Sequence, residues 1–409
     1  MDILHERCAG LDIHKKTIAA CVITPGPDGT PVKQVRTFGT MTDELLALAD
    51  WLTNTGVSHV AMESTGVYWK APYNLLEGNF TLLLVNPQHM KAVPGRKTDV
   101  RDCEWIADLL RHGLLQASFV PDREQRELRE LTRYRTSLVR ERADEVNRVQ
   151  KTLEGANIKL ASVATDILGK SGREMLEALV AGSTDTAAMA QLARRRMRTK
   201  IPQLERALMG RFGDHQRFLV AKQLAHIDFL DGEIAELNAA IEERLRPFQE
   251  ELDRLDSIPG IDRRNAEVLL AELGTDMRRF PTASHLASWA RLCPGSNESA
   301  GKHKSAKTGR GNPWLRTALV QAAHAAGRTQ TYLAAQLHRL SNRRGKNKAV
   351  IAVAHTILTI AYYVLKNPVM YAELGKHYFD ARERDTVKDR LVRRLKNLGF
   401  DVTVTPQAA

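Results

Sequence analysis

Asp12, Glu63, Asp99 and Asp102 carry the chemistry this sequence suggests first, because each sits where a predicted strand ends or a helix begins. Asp12 follows the apolar start of CAGLDIHKKTIAACVI, Glu63 closes VSHVAMESTG, and the last two lie three apart in KTDVRDCEWIADLL. Carboxylates are hard oxygen donors, and Mg²⁺ is commonly held by a few of them together with substrate phosphate oxygens. Two such ions roughly 4 Å apart stabilise both the attacking and the leaving oxygen of an in-line displacement. Acids gathered from separate elements therefore suit phosphodiester chemistry without forming a continuous motif. Taken singly, each has a plainer reading. Acids in a first helical turn complement the helix dipole, and Asp99 alone would serve as an N-cap. Their i, i+3 spacing would put Asp99 and Asp102 on one helix face. His14, beside Asp12, reads as a surface-turn histidine.

The elements that must position these groups follow from hydrophobic periodicity. Residues 8–13, 16–23 and 32–38 read as strands, joined by a tight turn at His14–Lys15 and by the turn-rich PGPDGT. A helix over 42–54, a strand over 58–62, a helix from about Gly66 and a strand over 81–85 imply an α/β layer with parallel strands on one side. Such sheets place ligands beyond the carboxyl ends of their strands, where Glu63 falls and near which Asp12 falls.

From Pro121 the sequence turns charged and helical, with Leu128, Leu131, Leu138, Val149 and Leu153 recurring near helical spacing. A second long helix spans about 216–246. Its residues Ile227, Leu230, Ile234, Leu237 and Ile241 step by 3, 4, 3 and 4, a heptad seam. The seam fits an intramolecular hairpin or a dimerising arm, the latter being the functional preference. Between the two helices, ARRRMRTK (193–200) is a basic helix or loop of unassigned role. SIPGIDRRNAEVLLAEL reads as helix, tight turn at Pro259–Gly260, then helix. That is either a helix-hairpin-helix whose turn grips a phosphate or a plain helical corner. A Gly-, Ser- and Lys-rich loop follows, then helices over about 313–327 and 350–366 and a basic helix over 382–398.

Charge narrows the partners. The 409 residues carry a net +12, unevenly spread. Residues 1–120 hold 11 Lys and Arg against 13 Asp and Glu, whereas residues 295–348 hold 11 basic residues and only Glu298 as an acid. An acidic module joined to basic segments suits an enzyme acting on a polyanion. No stretch approaches the roughly 18 apolar residues of a membrane helix, and MDILHERCAG lacks a signal-peptide layout. Cys8, Cys21, Cys103 and Cys293 have no paired spacing, which points to reduced thiols, no zinc site and a cytoplasmic protein.

GLDIHK, AMESTG and KTDVRDCEWIADLL, followed far downstream by SIPGI and NESAGKHKSAKTGRGNPWLR, together resemble the transposases of the insertion sequence 110 family, the DEDD recombinases. The resemblance covers roughly residues 5–120 and 255–345. It implies a RuvC-like (RNase H-like) α/β catalytic domain with a mixed sheet over 1–120. A helical, coiled-coil connector suited to oligomerisation would follow over 121–254. A mostly α-helical C-terminal part would then hold a transposase domain over 255–348, with the helical corner and a serine loop, and closing helices with a basic tail over 349–409.

Residue by residue, the resemblance places the family's catalytic, metal-binding acids on Asp12, Glu63, Asp99 and Asp102, with Mg²⁺, or Mn²⁺ as substitute, as cofactor. The family's nucleophilic serine falls best on Ser299, in a loop that also holds Ser296 and Ser305. Many relatives have Ser-Gly where this chain has Ser299–Ala300–Gly301. Gly301 would permit close approach of backbone to phosphate. Lys302, Lys304, Lys307, Arg310, Arg343 and Arg344 are the expected nucleic-acid contacts.

The implied reaction is serine attack on a DNA phosphodiester, leaving a 5′-phosphoserine link and a free 3′-hydroxyl, then strand exchange through a Holliday-junction-like intermediate. The implied partners are donor and target DNA, a structured noncoding bridge RNA that pairs with both, and further copies of the chain, from dimer to tetramer. In a prokaryote this places the protein at the nucleoid. Two rival readings are a RuvC-like endonuclease or junction resolvase using metal-activated water, and a nucleic-acid-binding protein without catalysis.

Overall fold

Apolar runs buried on both faces build β1 (Cys8–Ile13) and most of β2 (Thr17–Pro25) in the computed structural model, and the largely exposed β3 (Pro31–Gly39) pairs beside them. The structure describes residues 2–64, 66–86, 102–293, 298–299, 302–303, 308–309, 311–382 and 384–405. The chain divides into two compact units, Met1–Pro121 and Asp122–Ala409.

In the first unit β1–β3 pair antiparallel, the first hairpin closing where His14 N–H donates to Thr17 O at 2.9 Å. Then come α1 (Thr42–Asn54), β4 (His59–Glu63), α2 (Lys70–Leu76), β5 (Thr81–Val85) and α3 (Asp102–Arg111). β4 and β5 add parallel strands, giving one mixed sheet of order β3-β2-β1-β4-β5. Parallel pairing requires a crossover between strands, and α1 supplies it from β3 to β4. Leu45, Leu48, Ala49, Trp51 and Leu52 of α1 are buried at helical spacing and pack with Ala9, Leu11, Ile13, Val60 and Met62 on one sheet face. Cys103, Ile106, Ala107 and Leu110 of α3 cover the other, against Cys8, Cys21, Ile23, Ala61 and Val85. The helix expected from about Gly66 starts at Lys70, because residues 66–69 form a turn in which Gly66 takes φ +54°.

The second unit opens with α4 (Arg123–Gly155), capped where Asp122 accepts from Gln125 N–H at 2.9 Å. After α5 (Lys170–Val180) and α6 (Ile201–Leu208), the long α7 (Asp214–Leu245) runs back along α4. Pairs at Glu127–Arg244 (3.0 Å), Arg135–Asn238 (3.2 Å), Arg142–Asp231 (3.0 Å) and Thr152–Gln223 (3.4 Å) show antiparallel register, since one number falls as the other rises. The heptad seam is therefore filled within the chain. Ile227, Leu230 and Ile241 are buried and Ile234 and Leu237 partly so. This is the intramolecular hairpin, one of the two readings of the seam. The basic segment ARRRMRTK contains a 3₁₀ turn, Arg195–Lys200.

Beyond the hairpin lie α8 (Gln249–Asp256), α9 (Arg263–Leu273), α10 (Ala283–Trp289), the short strands β6 (Glu298–Ser299) and β7 (Lys302–His303), α11 (Pro313–Ala326), α12 (Tyr332–Arg344), α13 (Lys346–Lys366) and α14 (Arg384–Asn397). The Pro259–Gly260 corner joins α8 to α9 as expected. Gly260 has φ +91°, and a Cβ there would sit 2.2 Å from Ala322 O, so the corner is pressed onto the α11 backbone. α13 is long and apolar enough, by length and composition, to cross a membrane, which corrects the expectation that no stretch approaches that length. Its buried residues, from Ala349 to Leu365, share one core with α8–α12.

Candidate active site

Parallel register brings Asp12 and Glu63 together. β1 and β4 pair from Cys8↔His59 to Leu11↔Met62, so the next positions on the two adjacent strands are Asp12 and Glu63, both at carboxyl ends. Side chains alternate along a strand. Cys8 and Ala61 face α3, so Asp12 and Glu63 lie on that same face. Glu63 is half-buried, and the Asp12 side chain is 18% exposed and 3.2 Å from His14 Nε2. His14 is therefore in contact with a candidate ligand, although its own side chain is 64% exposed.

Gly10 brings the third acid close. A Cβ on Gly10 would lie 2.3 Å from Cys103 O and 2.4 Å from Ala107 N, so α3 rests its backbone directly on β1. Asp102 is the first residue of that helix, one residue before Cys103, and one of its carboxylate oxygens is buried. The Cys103 thiol is pushed up by burial, with the nearby Glu104 and Asp12 carboxylates adding to it. Asp99 lies outside the described residues, and with it the expected Asp99–Asp102 helix face. Among the described residues no group of three His, Cys, Asp or Glu side chains is gathered tightly enough to enclose an ion. Two acids thus share a sheet edge and a third starts the helix lying on that face.

Ser299 closes β6 and pairs with Lys302 of β7, while Glu298 pairs with His303. The two strands make a hairpin with a two-residue connection, which sets the expected nucleophile and an expected phosphate contact opposite each other in the ladder. Ser296, Ser305, Gly301, Lys304, Lys307 and Arg310 lie outside the described residues. Arg343 and Arg344 end α12 as exposed residues beside Gly345, whose φ of +81° turns the chain into α13.

Residues 9–158 match the DEDD transposase family of IS110, and residues 252–339 match the IS116/IS110/IS902 transposase family. The chain belongs to the IS110 family of transposases. It is 28% identical over 320 residues to a Pseudomonas aeruginosa protein named "Probable family 20 transposase", covering 76% of this chain and 85% of that one. With the transposase for insertion sequence element IS1111A of Coxiella burnetii it shares 26% identity over 298 residues, 70% and 72% of the two chains. A pilin gene-inverting protein of Moraxella lacunata is 24% identical over 372 residues, 87% and 95% of the two. The protein is a DNA transposase or recombinase, an enzyme that cuts and transfers DNA strands.

In this IS110 transposase the segment after the serine hairpin is anchored by groups that sequence reasoning missed. Asn312 caps α11, its Oδ1 accepting from Trp314 N–H at 3.0 Å and Leu315 N–H at 3.2 Å, while its Nδ2 donates to Glu272 at 2.6 Å. Glu272 is fully buried and also takes a two-pronged bond from Arg133 of α4, at 2.7 and 2.8 Å. Burial pushes the neighbouring Arg129 guanidinium down to about 10, opposed by the Glu272 carboxylate, so it stays charged at neutral pH. Arg316 reaches back to Thr308 Oγ1 at 2.8 Å, and Gly311 passes so near Ala290 that a Cβ would meet its carbonyl at 2.4 Å. The one local signal for any of these groups is Asn-Pro ahead of an apolar helix, a pattern that favours an N-cap followed by proline at the first helical position. Cysteines that look scattered also gather. Cys8, Cys21 and Cys103 share the core under α3, and burial pushes the Cys8 thiol to about 11 and the Cys21 thiol to about 12.

Proposed function

We propose that this transposase mobilises its insertion sequence through a serine nucleophile, Ser299, working with an acidic site formed by Asp12, Glu63, Asp99 and Asp102. The observation that carries the reading is the parallel register that sets Asp12 and Glu63 side by side at the sheet's carboxyl edge, beneath a helix that starts at Asp102. A mixed sheet of three antiparallel strands extended by two parallel ones suits the RuvC-like fold implied by the family. The donor set is all carboxylate, which fits a hard divalent ion and does not fit zinc or copper sites rich in nitrogen or sulfur. Mg²⁺, or Mn²⁺ in its place, would supply neutralisation of charge on phosphate oxygens.

The chain's own residues do the rest. A serine hydroxyl is a weak nucleophile until its proton is removed. Ser299 Oγ bonds to phosphorus as the bond from phosphorus to the 3′ oxygen breaks, and the leaving oxygen takes up a proton to become a 3′-hydroxyl. Religation reverses these bonds on the exchanged partner strand. Lys302, Lys304, Lys307 and Arg310 hold the DNA backbone near the serine, and Arg343 and Arg344 extend that grip. A structured noncoding bridge RNA pairing with donor and target DNA would leave sequence reading to base pairing and backbone binding to the protein. Residues 255–348 would form the serine domain and residues 121–254 the connector. Assembly as dimer or tetramer would use surfaces other than the filled α4–α7 seam.

The test is covalent capture. Protein, flanking RNA, Mg²⁺ and labelled element-junction DNA are run on a denaturing gel. The expected result is a protein–DNA adduct that Ser299→Ala abolishes and that Asp12→Asn reduces at least about 100-fold, the order of one well-placed charge-stabilising group. An adduct that survives Ser299→Ala moves the nucleophile to Ser296 or Ser305. Cleavage without any adduct sinks the covalent mechanism in favour of hydrolysis.

A further inference from the structure

Residues 159–251 lie between the two family matches. Part of that segment folds into its own core, in which Leu160, Ile167, Met175, Leu176, Met189 and Leu204 pack against the tip of the α4–α7 hairpin. This lobe presents the basic 3₁₀ turn Arg195–Lys200. Between Thr186 and Gly213 there are seven Lys and Arg against the single acid Glu205. Several cations of the lobe are neutralised within the chain. Arg173 pairs with Glu177 and Asp228 at 2.7 Å, and Arg194 pairs with Glu174 at 2.6 Å.

The turn breaks that pattern. Arg195, Arg196 and Arg198 of the turn, and Arg206 of α6 just after it, are all exposed, and none has an acidic partner among the described residues. Arg195 takes φ +49°, a left-handed conformation uncommon for a residue with a side chain. Its flanks are pinned: Arg194 N–H donates to Ser171 Oγ at 2.9 Å, and Lys200 Nζ donates to Val163 O at 2.9 Å. Three residues per turn bring Arg195 and Arg198 to one edge. Solvent-facing guanidinium groups on a turn pinned at both flanks, with no acidic partner among the described residues, match the planar two-pronged recognition of phosphate.

We propose that this turn, together with Arg206 of the α6 that follows it, is an accessory binding site for the phosphate backbone of duplex DNA, lying outside both family-defining regions of the transposase. It rests on the DNA-acting family assignment and not on the identity of the nucleophile. Contacts to backbone carry no sequence information, so the site adds affinity and orientation without base preference.

The test uses the full-length protein with short duplex DNA of mixed sequence, and a hairpin RNA as a second probe, each titrated across a range of salt. Arg196→Gln, Arg198→Gln and Arg206→Gln combined remove three cations. At about 0.9 per phosphate neutralised, the slope of log affinity against log salt falls by about 2.7. Between about 50 and 200 mM salt the unmodified protein then loses about 40-fold more affinity than the triple variant. The corresponding Lys triple variant retains the slope, which separates charge from folding. Arg278→Gln, at an exposed arginine already paired with Asp276, serves as control and leaves the slope in place. An unchanged DNA slope in the Gln variant overturns the proposal, as does a fall confined to the RNA probe. An unmodified protein that binds no DNA at any salt would sink the DNA reading along with it.

Discussion

Replacing Gly10 with alanine tests whether α3 rests on β1 closely enough to set the acidic site. The new Cβ would lie 2.3 Å from Cys103 O and 2.4 Å from Ala107 N, while ordinary contact begins at about 3.4 Å. Both neighbours are backbone and cannot swing aside, so α3 must retreat by about 1 Å along with Asp102 at its start. Overpacking of this kind costs about 1–3 kcal/mol. At roughly 4 °C per kcal/mol for a unit of this size, the first unit's transition falls by about 4–12 °C. Misplacing a catalytic group by about 1 Å costs on the order of 100-fold in rate. Scanning calorimetry reads the first effect, and single-turnover strand cleavage well below the melting point reads the second. Gly155→Ala is the control, because nothing lies within 4 Å of its added methyl. If Gly10→Ala melts and cleaves like the unmodified protein, the close seating of α3 is wrong. If it melts early yet cleaves normally, α3 does not position the site.

Three further outcomes follow from the same packing. Glu272→Ala leaves Arg133 and Asn312 without their buried acceptor and costs the second unit about 3–5 kcal/mol, read by denaturant unfolding; a loss below about 1 kcal/mol would refute the buried network. Gly232→Ala, in the middle of α7 with nothing within 4 Å, stabilises the hairpin by about 0.5–1 kcal/mol, read by the same unfolding experiment. At neutral pH Cys8 and Cys21 stay protonated and buried, so pulse alkylation labels the half-buried Cys293 first and reaches them only on unfolding. Early labelling of Cys8 or Cys21 in the folded protein would contradict that burial.

The strands and long helices were legible because their patterns are local. CAGLDI and TLLLV carry enough apolar residues to fix β1 and β5 at the expected bounds, and α1 likewise begins at Thr42 and ends at Asn54. The heptad spacing of α7 was legible too, but not its partner, since α4 and a second copy of α7 both present apolar stripes. The distant pairings were invisible for a related reason. Arg133 meets Glu272 across 139 residues, and no local pattern separates that buried glutamate from the solvated acids around it. Cys8, Cys21 and Cys103 converge because two adjacent strands and a helix meet, not because of their spacing. Composition does not place α13 either, since its apolar stretch is long enough for a membrane, contrary to the expectation that no stretch approaches that length, yet packs in the core of the second unit.

Positioning of the acids therefore depends on the core more than on the acids' own neighbours. β1 and β4 are parallel, so no tight turn sets their register, and the crossover through α1 leaves several registers sterically open. The choice falls to burial on both faces at once. Ala9, Leu11, Val60 and Met62 must meet α1, while Cys8 and Ala61 must meet α3. A slip of one residue on β4 would carry Glu63 to the opposite face from Asp12 and expose the apolar set with it. Gly10 adds a second constraint, since the β1 position beneath the α3 backbone admits no side chain. Substitutions at Leu11 or Met62, which touch no substrate, therefore act on the same geometry as substitutions at Asp12 or Glu63. The former loosen the register that brings the carboxylates together, and the latter remove the carboxylates themselves.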